Sequence, residues 1–151
     1  MTAWAVFEHL HRPSLYFAEV RRILKAGGRF VFLVTNSESF WGRRANREDV
    51  PRHTYHFSAD ALAAYARKHA FELTHVTYDD GIFDARGKGT FRWAFSRAAG
   101  VTWPAFYRGE LSLLQSAARL AGKTLDGIVF SLHWEAWLGR SGIMVAEFHK
   151  P

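Results

Sequence analysis

The sequence has no cysteine, which excludes a disulfide framework and any thiolate metal site. It has no apolar run near the roughly 18 residues of a membrane-spanning helix. Glu8 and His9 break the first apolar stretch before it reaches the length of a signal-peptide core. Neither G-x-S-x-G nor a Cys/His pairing is present, so no serine or cysteine nucleophile can be argued. G-x-G-x-x-G is also missing, and Gly87–Thr90 ("GKGT") lacks both the spacing and the preceding strand of a phosphate loop. Acidic residues are in deficit, 14 against 20 Lys and Arg, leaving a net charge of +6. That sign suits nucleic acid, anionic lipid or a phosphorylated substrate. The bases are nevertheless spread along the chain; only Arg43, Arg44, Arg47 and Arg52 cluster, diluted by Glu48 and Asp49. A nucleic-acid partner is therefore not expected. A cytoplasmic location is expected, since nothing here resembles a signal or a span.

The 151 residues, 48% of them hydrophobic, suffice for one domain with a real core. Ala3–Phe7 reads as a short strand. Pro13 opens a helix with Leu15, Val20, Ile23 and Leu24 as its apolar stripe, stopped by Gly27–Gly28. Phe30–Val34 is a continuous β-forming run, the mark of a strand covered on both faces. The connection that follows, 37–57, is longer than an ordinary loop, and such loops are often functional. Ser58 caps a helix over 59–70, and 71–78 is a third strand, giving a right-handed crossover. Past Asp79 the pattern predicts helices over 90–99, from Pro104 through Leu113, Leu114, Ala117, Leu120 and Ala121, and over Leu125–Leu138. The last of these carries a Phe130/Trp134/Trp137 face that reads as core or pocket wall. "IMVAEFH" is the final strand. No internal repeat is evident.

These pieces together resemble the class I S-adenosylmethionine-dependent methyltransferases. The resemblance rests on Glu8–His9 after a strand, on Leu24-Lys25-Ala26-Gly27-Gly28 before an apolar strand ending in Thr35-Asn36, on "PRHTYHFSADAL", and on "SGIMVAEFHKP" as a last strand. It covers about two-thirds of the chain, and the order of elements agrees throughout. It implies an α/β fold, a partial Rossmann-like three-layer sandwich with a mixed sheet whose last strand runs antiparallel. Residues 1–151 are then one partial domain, with 81–141 a helical insertion. The family's Gly-rich first turn is absent, as is the acidic residue that holds the ribose. The expectation is a C-terminal half beginning in the fourth strand, with exposed apolar surface along that strand. S-adenosylmethionine is the implied cofactor, and this chain alone is expected to bind it poorly, because in-line transfer needs donor and acceptor held together.

In an open α/β sheet, ligands sit beyond the carboxyl ends of the strands. This places Glu8, His9, Asn36 and Ser37 at the acceptor side, with Trp41, Arg52, His53 and His56 in the loop that covers it. His9 or His53 can take a proton from a hydroxyl or amine acceptor. Equally, His9 can cap the following helix and His53 can bond the loop backbone. The arginines can grip an anionic group or simply be solvated. His9/His11 and His53/His56 lack the helical i, i+4 spacing of a zinc site, so no metal is expected. The expected partners are a small-molecule acceptor and either a second copy of the chain or a missing N-terminal half. The rival reading is a non-catalytic remnant, a binding module that associates with a partner.

Overall fold

The computed structural model describes residues 1–40, 53–78 and 89–151. Trp41, Arg43, Arg44, Arg47, Arg52 and the 79–88 stretch lie outside the described residues.

Strand β1 is Thr2–Trp4, shorter than the expected Ala3–Phe7. Ala5 ends it by adopting φ +52°. That left-handed conformation costs an alanine about 1 kcal/mol. The chain then winds into a 3₁₀ turn at Phe7–His9. Helix α1, Pro13–Ile23, starts on its proline as expected. Its buried line is Pro13, Phe17 and Val20, while Leu15 and Ile23 stand in solvent. The inward stripe therefore begins at Pro13 and recurs at i+4 and i+7, one helical face. Strand β2 is Arg29–Thr35. Helix α2, Ala59–Lys68, is capped by the Ser58 hydroxyl, which accepts from the Ala61 N–H at 3.1 Å. Strand β3 is Glu72–Thr77.

Four helices follow: α3 at Thr90–Ala98, α4 at Trp103–Arg108, α5 at Leu113–Val129 and α6 at Trp134–Trp137. Their boundaries correct the expectation. Gly109 turns left-handed at the end of α4, and Ser112 with Gln115 forms a capping box, so Leu113 opens a new helix. That helix runs unbroken through Leu125 and stops at Phe130. His133, at φ +53°, separates it from α6. Strand β4, Ile143–His149, closes the chain.

The sheet order is β1-β2-β4-β3. β1 and β2 are parallel, and β4 inserts antiparallel to both β2 and β3. The mixed sheet and the antiparallel last strand are as expected. Phe30, Phe32 and Val34 of β2 and Met144, Ala146 and Phe148 of β4 point to one face. There they meet Phe17 and Val20 of α1 and Leu62 and Ala66 of α2. Phe7, Phe17, Phe30 and Phe32 pack with ring centroids 4.5 to 6.5 Å apart, so aromatic contacts dominate this core. The other face buries a smaller group, Leu33, Ile143 and Val145. β1 is an edge strand whose Trp4 is exposed, with Val6 also exposed just beyond it.

Candidate functional site

The turn after β1 and the segment 53–57 are joined by backbone bonds. The Glu8 carbonyl accepts from the N–H groups of Thr54 at 2.8 Å and Tyr55 at 3.1 Å. The Thr54 hydroxyl reaches the Leu10 carbonyl, and the Tyr55 hydroxyl reaches that of His11. At the other end of this segment, Ser37 N–H donates to the Phe57 carbonyl at 2.8 Å. Residues 53–57 are thereby laid across the carboxyl ends of β1 and β2.

The consequence is a group no spacing rule could reveal. His9 and His53, 44 positions apart, have ring centroids 4.6 Å apart, and His56 stands 6.2 Å from His53. Glu8 is 1% exposed beneath them. The ligating atoms of Glu8, His9 and His53 all lie within 4.8 Å of one another, the one three-residue set among the described residues that could hold a metal ion. Sequence spacing argued against metal because it compared neighbours along the chain; the fold supplies the third donor from another segment. The same group can do proton chemistry, since an imidazole beside a buried carboxylate can exchange a proton with a hydroxyl or amine held against it.

Asn36 is placed differently from its expectation. Its side chain is buried, and both amide hydrogens are taken, by the carbonyls of Gly139 at 3.0 Å and Ser141 at 2.8 Å. Its Oδ1 accepts from the Glu38 N–H. No amide hydrogen remains for a ligand; Asn36 ties the end of β2 to the turn before β4. Ser37 lies beside it and lines an open cleft of about 460 Å³ with Glu38, Ser39, Phe40 and Arg140. Phe40 packs on Phe130 and Trp134 at 6.1 and 5.4 Å, so two members of the expected aromatic face stand behind the Phe40 wall without lining the cleft themselves. Trp137, the third, is 84% exposed and belongs to neither core nor wall. Arg140 was missed by sequence reasoning. The signal available was topological: an antiparallel β4 returns its entry turn to the carboxyl end of β2. A second groove, about 390 Å³, runs from His9 past Leu10, Arg12 and Leu15 to Glu19. Trp41 and Arg52 lie outside the described residues.

Residues 1–76 match the family model of a methyltransferase domain. No curated protein matches the chain. Among solved structures, the chain is similar over 99% of its length to the (4+2)-cyclase SpnF, at 18% identity and a TM-score of 0.50, covering 48% of that chain. Similarity to a Bacillus halodurans C-125 protein assigned as a methyltransferase is 12% in identity with a TM-score of 0.52, covering 99% of this chain and 63% of that one. For Haemonchus contortus phosphoethanolamine N-methyltransferase 2, solved with S-adenosyl-L-methionine, the figures are 15%, 0.53, 99% and 32%. The chain thus spans between about a third and two-thirds of these structures.

A site for S-adenosyl-L-methionine would lie at the strand ends. β1 is followed by Ala5-Val6-Phe7 and β2 by Asn36-Ser37-Glu38. Neither carries a glycine turn that would let a cofactor lie against the backbone, so these strand ends do not match a donor site. With the model match over 1–76 and three likenesses in fold, the chain belongs to the class I methyltransferases.

Proposed function

We propose that this chain forms the acceptor side of an S-adenosylmethionine-dependent methyltransferase acting on a small molecule. The observation that carries this reading is the His9–His53 pair, 4.6 Å between rings, over the buried Glu8 at the carboxyl end of β1. In this reading one imidazole takes the proton of a hydroxyl or amine acceptor, and Glu8 fixes the ring that does so. Ser37 and His56 face the acceptor from the neighbouring strand end and segment. Asn36 acts indirectly, by holding the β2 end against the 139–141 turn. The donor supplies an activated methyl group; its grip is not made by this chain alone.

Isothermal titration with S-adenosylmethionine tests the last point. The expected result is no micromolar binding; micromolar binding by these 151 residues overturns it. With a Gly-rich donor-binding unit supplied in cis or in trans, methyl transfer should appear. His9→Ala or His53→Ala should then slow it about 10²–10⁴-fold. Insensitivity of that activity to a chelator supports the proton role, and loss with the chelator assigns the Glu8/His9/His53 group to a metal instead. A second reading, a non-catalytic binding module, is favoured by the pairing of a complete His group with the missing glycine turn. It predicts acceptor binding with no transfer even when the donor unit is present.

A further inference from the structure

Helix α5 presents its faces in the reverse of the usual order for a surface helix. Its inner line is Gln115, Arg119, Gly122 and Asp126. Gln115 bonds the carbonyls of Ala99 and Gly100. Arg119 lies 4.0 Å over the Phe106 ring. Gly122 abuts the backbone of Arg92, and Asp126 accepts from three N–H groups at the start of α3. The apolar line faces water: Leu113 is 91% exposed, Leu114 74%, Leu120 65% and Ile128 66%. With Ala117, Ala121 and Thr124 between them, these positions fall on one side of a 3.6-residue period. Leu132 at 77% and Trp137 at 84% are further exposed apolar side chains past the end of the helix. A contiguous apolar row of this kind marks a surface that something covers.

Charge decides what covers it. Residues 89–142 hold six Lys and Arg against three acids. Asp126 and Glu135 are buried, Glu110 and Arg108 neutralise each other at 2.8 Å, and Arg119 is turned inward onto Phe106, so no acid of this segment stands unpaired in water to oppose the remaining bases. Lys123 is exposed on the flank of the apolar row. A second copy would bring one chain of net charge +6 against another, which opposes association. A negatively charged surface reverses that sign. The row is a single convex helix of 17 residues, about 25 Å long, too short to span a bilayer and suited to lie in its interface. Among the described residues no helix is long and apolar enough to cross a membrane.

We propose that α5 docks on an anionic lipid surface, with Leu113, Leu120 and Ile128 in the headgroup–acyl boundary and Lys123 at the lipid headgroups. The test is co-sedimentation of the full chain with vesicles of phosphatidylcholine alone and of equal parts phosphatidylcholine and phosphatidylglycerol. Partitioning to the mixed vesicles should exceed that to the neutral ones by about tenfold or more. The double variant Leu120→Asp/Ile128→Asp should lose about 100-fold, with an unchanged far-ultraviolet circular dichroism spectrum because both side chains already stand in water. Lys123→Glu, at an exposed position, should lose several-fold and serves where the double variant does not fold. Binding of both variants equal to the parent chain overturns the proposal. So does failure to bind either vesicle, including the case of a dimer that Leu120→Asp/Ile128→Asp dissolves.

Discussion

His69 sits where α2 ends, its Nε2 2.9 Å from the Ser14 hydroxyl and its ring stacked near Phe17 and Tyr65. Burial holds its pKa below the ordinary imidazole value, and the Lys68 charge adds to this. The unfolded chain therefore binds this proton more readily than the folded one. The stability it contributes is complete above about pH 6.5 and is lost as pH falls toward the depressed value. Urea midpoints at about pH 7.5 and about pH 5.5 should show this loss, and His69→Asn should flatten it. Ala5 carries a different tension, a left-handed backbone at the base of the turn that positions Glu8 and His9. Ala5→Val should lower unfolding free energy by about 1–2 kcal/mol in urea, since a β-branched side chain is poorly tolerated there. At this scale Glu8, His9, His53 and His56 were legible as polar residues near one sheet edge. Their mutual contact was not, because it depends on Thr54 and Tyr55 bonding to the Glu8 carbonyl.

The α3–α5 pair shows what an element's sequence can hide. A Cβ at Gly122 would come within 2.5 Å of the Arg92 Cα and 2.6 Å of the Phe91 carbonyl oxygen. Glycine is there for close approach, not for flexibility. Gly122→Ala should gain about 1 kcal/mol of helix propensity and lose more to overpacking, about 1–3 kcal/mol. The expected outcome is a lower thermal midpoint by circular dichroism. Asp126 accepts from Gly89, Phe91 and Arg92 N–H groups at 2.8 to 3.2 Å, capping one helix from another. Helical spacing of Leu113, Leu114 and Leu120 put them on one side of a helix without saying where that side faces; the structure extends the same helix to Ile128 and turns this side to water. Periodicity reports that one side differs from the other; it does not say which side the partner takes when a small, polar face fits more closely.

Across the whole molecule, the last residues hold the first turn of the crossover. Lys150 exchanges backbone bonds with Gly27 and Gly28 at 2.8 and 2.9 Å, and its ammonium donates to the Arg21 carbonyl at 2.7 Å. It thus satisfies a carbonyl at the end of α1. Lys150→Ala should cost about 1–2 kcal/mol in urea unfolding while leaving the sheet intact. Residue order alone was enough to determine the α/β class, the β2 and β4 core strands and the Ser58 cap; the antiparallel direction of the final strand came from the family resemblance. Each depends on local propensity or on a continuous apolar run, which hydration and backbone sterics act on directly. Only tertiary structure decided that Asn36 is a brace, that His9 meets His53, and that the apolar side of α5 faces outward. Those are contacts between segments far apart in the chain, and the free energy of each depends on what packs opposite it, a quantity no single stretch of sequence contains.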